Sequence, residues 1–148
     1  KDSKEVRSYL QSKKKKLFSY EIFENLDLSK GNYEELEFQF SSFVGCNFTQ
    51  SSWNKSHLLF SNLQNTMLKN TKMEKMKIFD TDFSGATLEQ VDFAGAKIKH
   101  VSFAGAKLIQ VDFSKVLLAE EINFQDAQIV DCKFPEEVGS GLLYHENR

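Results

Sequence analysis

Residues 83–112 read FSGATLEQVD (83–92), FAGAKIKHVS (93–102) and FAGAKLIQVD (103–112). Each decapeptide splits into two quintets, headed by Phe83 and Leu88, Phe93 and Ile98, Phe103 and Leu108. The phase extends far beyond this stretch. From Leu28 through Tyr33, Phe38, Phe43, Phe48 and Trp53 to Leu118, every fifth residue is large and apolar. Five residues of α-helix advance about 140° net, so such a set scatters around a helix. A flat strand alternates its faces every two residues, so the set would fall on both sides. A chain that turns a corner every five residues satisfies the pattern, and a strict short period decides architecture before any motif does.

The residue two before each large one is nearly always small or aliphatic and never charged from Leu26 to Val116. Residues i−2 and i of a short extended piece point the same way, so both face one interior. The residue between them points out and is often acidic or amide, as at Asp27, Asn32, Asn47, Asn62, Asp82, Asp92 and Asp112. Gly85, Gly95 and Gly105 fall two after their Phe, where a tight corner calls for positive φ.

The pattern (A, V, S or T)-(D or N)-(L or F)-x-(G or x) resembles the pentapeptide-repeat family over about three quarters of the chain. The resemblance implies an all-β fold, a right-handed four-sided parallel β-helix with four quintets per coil. Residues twenty apart then stack in four inward columns. The first takes Phe38, Leu58, Ile78, Ile98 and Leu118, and the second Phe43, Leu63, Phe83 and Phe103. The third takes Leu28, Phe48, Leu68, Leu88 and Leu108, and the fourth Tyr33, Trp53, Met73, Phe93 and Phe113.

Phe124, Ile129 and Phe134 resume the spacing after a step of six, which places one extra residue within 119–123, as a bulge near Glu120 and Glu121. About five to six coils follow, with an N-terminal α-helical cap. That helix is expected over about residues 3–15, with Val6, Tyr9, Leu10 and Leu17 on one side and Lys13 to Lys16 in its last turn. Phe18 and Phe23 keep the phase, but Lys16 and Glu21 stand at their i−2 slots. A buried unpaired charge is costly, so the regular coils are expected to start near Leu26. The organisation is therefore a cap with its lead-in segment at 1–25, repeats at 26–135, and a tail at 136–148 after Pro135, the single proline.

At 148 residues with net charge −2 this reads as one domain. No run of 18 apolar residues and no charged-then-apolar leader is visible, so no membrane role is expected. Cys46 and Cys132 lie at inward slots more than four coils apart, too far for a disulfide, and are expected to be reduced and buried in a cytoplasmic protein. The chain does not begin with Met, so a domain of a larger, secreted bacterial effector is a further reading. Lys-, Asn- and Phe-rich composition points to a bacterial source. Charge is uneven: residues 38–80 carry five positive and two negative groups, residues 81–148 six and eleven.

No catalytic constellation, phosphate loop or zinc spacing occurs, so no enzyme activity, metal or cofactor is expected. The histidines are His57, His100 and His145, and His57 and His100 lie about two coils apart, too far to share a metal. The expected function is a protein-interaction scaffold working through its outer walls. The candidate patch is Phe40, Leu59, Phe60 and Phe79 outside the inward slots, rimmed by Lys77 and Lys97. Exposed contiguous apolar area marks an interface. Cover of that wall by the N-terminal helix or the tail is the competing reading. A DNA mimic that binds type II topoisomerases, as some members of the resembled family do, would use the acidic set Asp82, Asp92, Asp112, Glu120 and Glu121. Direct nucleic-acid binding is not expected, and homodimerisation through the C-terminal coil is the remaining partner reading.

Overall fold

The structure is a computed structural model, and it describes residues 2–135 and the backbone of 144–146. Helix α1 (Ser3–Gln11) opens the chain. The strands follow as β1 (Leu17–Ser19), β2 (Glu37–Gln39), β3 (His57–Leu59), β4 (Met67–Lys69), β5 (Lys77–Asp82) and β6 (Thr87–Asp92). They continue as β7 (Lys97–Ser102), β8 (Lys107–Asp112), β9 (Leu118–Phe124), β10 (Gln128–Val130) and β11 (Tyr144–Glu146). All paired strands are parallel. One wall is the seven-stranded order β1-β2-β3-β5-β7-β9-β11, and another is β10-β8-β6-β4.

The twenty-residue register is direct: Phe38 pairs with Leu58, Leu58 with Ile78, and Leu88 with Leu108. Four quintets therefore make one coil, and each inward residue sits on its counterpart one coil away. Phe38, Phe43, Leu58, Ile78, Phe83, Phe93, Ile98 and Phe103 are all fully buried. Trp53 anchors the N-terminal half, its ring 5.3 Å from Tyr33, 5.6 Å from Phe38, 5.7 Å from Phe43 and 5.1 Å from Phe48. The C-terminal half instead holds continuous stacks, Phe83–Phe103–Phe124 and Phe93–Phe113–Phe134. Such contacts add about 0.5–1.5 kcal/mol each beyond the area they bury.

The outward Asp and Asn residues turn the corners. Asp82 Oδ1 accepts the Ser84 amide at 2.8 Å, Asp92 Oδ1 that of Ala94 at 2.9 Å, and Asn62 Oδ1 that of Gln64 at 2.9 Å. Inward serines close on carbonyls: Ser51 Oγ donates to Phe48 O and Ser56 Oγ to Trp53 O, both at 2.6 Å. At Gly85 φ is +72°, and Ala86 N donates back to Phe83 O at 3.0 Å, which together make a tight turn.

Four expectations need correction. Helix α1 ends at Gln11, so Lys13–Lys16 follow it rather than forming its last turn. Lys13 Nζ instead donates to Glu34 O at 2.6 Å. Val6 and Leu10 are buried against the first coil, whereas Leu17 belongs to β1 and is exposed. The ladder also begins a coil early, because β1 pairs with β2 and Phe18 stacks on Phe38 at 4.9 Å. Lys16 and Glu21 are not buried there, since no coil lies on their N-terminal side; Tyr9 Oη donates to Glu21 Oε2 at 3.2 Å.

The extra residue lies at Leu117–Leu118, not within 119–123. Ile98 pairs with Ala119, Lys97 with Leu118, and Leu117 is 71% exposed. Ala119, rather than Leu118, thus ends the first inward column. The last correction concerns Cys132, which is half-buried; Cys46 is buried, and both are free thiols. The expectations for 136–143, including cover of the open coil and pairing with a second copy, lie outside the described residues. The backbone of β11 pairs with β9, Tyr144 opposite Ile122.

Candidate functional site

The wall built on β2, β3, β5, β7 and β9 carries two outward positions per rung, one on each side of the inward residue. On β3 these are His57 and Leu59, on β5 Lys77 and Phe79, and on β7 Lys97 and Lys99. The register sets Leu59 beside Phe79 and Lys77 beside Lys97. The next residue along forms a corner column: Tyr20, Phe40, Phe60, Asp80, His100 and Glu121.

Every member of that column has positive φ, from +50° at Phe40 to +58° at Tyr20. This conformation aims each side chain outward along the tube edge. Tyr20, Phe40 and Phe60 stack there at 5.2 and 5.0 Å with planes 8° apart, and remain 74%, 48% and 54% exposed. A non-glycine residue in this region costs about 1–2 kcal/mol. The conformation recurs at corners along the tube whatever the residue, so what marks this column is the aromatic stack held toward solvent. Among the described residues neither α1 nor any coil covers Phe40 or Phe60. All six residues of the expected patch thus share one wall and its corner. Lys77 Nζ stands 5.1 Å from the Phe79 ring centroid, a cation–π contact over a half-buried ring.

Sequence reasoning missed the lower half of the column. His100 Nδ1 lies 3.1 Å from Asp80 Oδ1, and its Nε2 lies 2.8 Å from Glu121 Oε2. The hydrogen bond to Glu121, helped by the one to Asp80, raises the His100 pKa above its usual 6.5. The signal was present in the twenty-residue spacing from 80 to 100, but the misplaced insertion hid Glu121. An open groove beside it is lined by Phe60, Asn62, Asp80, Asp82, His100 and Ser102.

The expected acidic set does not converge. Asp92 and Asp112 are neighbours on one column, Asp82 is opposite Ser102 on another, and Glu120 and Glu121 lie on the strand after the insertion. Asp112 is tied to Ser114, whose amide and hydroxyl donate to Oδ1 at 2.8 and 2.6 Å. Burial opposes ionisation of Asp112, but the Ser114 hydrogen bonds, with Lys115 and Lys133 nearby, hold it below the usual carboxylate range. Glu120 lies 4.0 Å from Lys99. Among the described residues no cluster of three or more His, Cys, Asp or Glu side chains is placed to hold a metal ion. No described helix is long and apolar enough to cross a membrane.

A family model described as pentapeptide repeat region matches residues 46–121, just over half of the chain. No curated protein matches the chain by sequence. Among solved structures, the chain is similar to a pentapeptide repeat protein from the Arabidopsis thaliana thylakoid lumen. The identity is 18% and the TM-score 0.61, over 75% of this chain and 74% of that one. It is also similar to QnrB1, a plasmid-mediated fluoroquinolone resistance protein, at 15% identity and a TM-score of 0.45, over 81% and 82% of the two chains. A pentapeptide repeat protein from the cyanobacterium Cyanothece matches at 9% identity and a TM-score of 0.37, over 81% and 84%.

Proposed function

We propose that this chain, which belongs to the pentapeptide-repeat family, is a non-catalytic scaffold that binds another protein through the wall carrying Phe40, Leu59, Phe60 and Phe79. Proteins of this family are generally structural or interaction scaffolds. One observation carries the reading: Phe40 and Phe60 are about half exposed and stacked on one another at the corner of the wall. Large exposed apolar groups gathered on one side of a rigid body mark a contact surface. The interior is filled by the inward columns, so the outer surface is what a partner meets.

The test is affinity purification with the wild-type chain and with a Phe60→Asp, Phe79→Asp variant of equal fold content. The reading expects a defined partner to be retained by the wild type and lost by the variant. Identical partners and identical self-association for both proteins would overturn it.

A further inference from the structure

We infer that the occupant of this wall is an acidic amphipathic α-helix of a partner protein, lying along the tube axis; this rests on the reading that the wall binds protein. Two stripes run side by side down the wall. The apolar stripe gives roughly one contact per rung: Phe40, then Leu59 with Phe60, then Phe79. The basic stripe takes Lys77 and Lys97 from the strands and Lys55 and Lys75 from the adjoining corner, and gives way at the Phe40 rung to Glu37 and Glu35, where Glu37 pairs with His57. Corner residues Lys55 and Lys75 are exposed, and the strand positions bearing the two stripes are two residues, about 6.6 Å, apart.

The repeat length selects the occupant. Rungs lie about 4.8 Å apart. A helix returns an apolar residue to one side every turn, about 5.4 Å. The difference of about 0.6 Å per turn accumulates to less than about 2 Å over three rungs, within the reach of long side chains. A strand laid along the same axis repeats a side about every 6.7 Å and falls out of step within two rungs. Duplex DNA offers phosphate to the lysines and has no apolar side for Leu59 and Phe79. A helix of about 12–15 residues spans the patch, with Leu-, Ile- or Met-type residues on the aromatic corner and Asp or Glu along the flank that meets the lysines. A carboxylate beside Lys77 would also draw its ammonium from the Phe79 ring, opening that ring for contact. A second copy does not supply this helix: α1 buries its apolar Val6 and Leu10 and carries Lys4 and Arg7.

The test pans the full chain against a displayed library of random 16-residue peptides. Recovered peptides are then measured by fluorescence anisotropy and circular dichroism against three proteins: wild type, Phe60→Asp with Phe79→Asp, and Lys77→Glu with Lys97→Glu. Thermal melts confirm folding, and Phe60→Asn serves as the milder variant. The expected binders show apolar residues at i, i+3 or i+4 and i+7, carry Asp or Glu on one flank, and gain helix when bound. They lose at least tenfold in affinity on both double variants, and Glu→Lys peptides regain it on the lysine-reversed wall. Binders that use the wall but are basic, or stay extended, overturn the helix and leave the protein-binding wall standing. Binders indifferent to both double variants, or no binders at all, overturn both. A 20-mer DNA released by the lysine reversal alone would replace the helix with nucleic acid. A dimer that dissociates in Phe60→Asp would replace it with a second copy.

Discussion

Phe40 stacks on Phe60 with ring centroids 5.0 Å apart and planes 8° from parallel, while both residues hold φ near +50°. The pair thus combines a favourable contact of about 0.5–1.5 kcal/mol with a backbone cost of about 1–2 kcal/mol per residue.

It follows that Phe60→Asn changes stability by no more than about 1 kcal/mol, because Asn tolerates this conformation and little buried area is lost. Denaturant unfolding measures it. A loss above about 3 kcal/mol would mean that the ring belongs to the core rather than to the surface.

His100, between Asp80 and Glu121, gives the fold a pH dependence. Its pKa is raised in the folded chain, so its contribution is full below about pH 6.5 and fades as pH rises through the higher folded value. His100→Gln should lower the melting temperature at pH 5.5 relative to wild type and narrow the difference above the folded pKa. A proton NMR titration should place His100 above an unperturbed histidine. An equal effect of the substitution at all pH values would contradict the pairing.

Deleting Leu117 should be tolerated within about 1 kcal/mol, because Leu117 is largely exposed and its removal restores the twenty-residue phase at the Ala119 rung. Deleting Lys97 instead should unfold the following coils, since every inward residue after it would shift by one position. Circular dichroism melts of the two deletions separate these outcomes.

The Cys46 thiol is pushed up to about 11, chiefly by burial. At pH 8 it should react with a water-soluble disulfide reagent far more slowly than in the unfolded chain, and the half-buried Cys132 should react first. Equal native rates for the two thiols would contradict their different burial.

The quintet phase was legible because inward residues must be apolar, and the four columns follow once four quintets close a coil. The outward apolar patch was legible by subtraction, since Phe40, Leu59, Phe60 and Phe79 occupy none of the inward slots. The corner conformation was not legible. Lys30, Glu35, Gln50, Phe60 and His100 all adopt positive φ there, with no compositional mark, because the parallel ladder and the buried columns on either side hold the turn. Among the described residues, glycine marks that slot at Gly45, Gly85, Gly95 and Gly105 alone. Lys16 and Glu21 mask the first coil in the sequence, because these charges stand at inward slots of an end where burial is incomplete. The insertion was misplaced because Leu117, Leu118 and Ala119 each satisfy the pattern, and only the pairing of Ile98 with Ala119 distinguishes them.

Hydroxyl-radical footprinting of the native chain, alone and with the partner retained by the wild type, tests the working surface most directly. In the free chain Tyr20, Phe40 and Phe60 should be oxidised many times faster than Phe38, Phe83 and Phe103, and the partner should protect Phe40 and Phe60. Free-state rates for Phe40 and Phe60 as slow as that of Phe83, or no protection of either ring by the partner, would contradict the account.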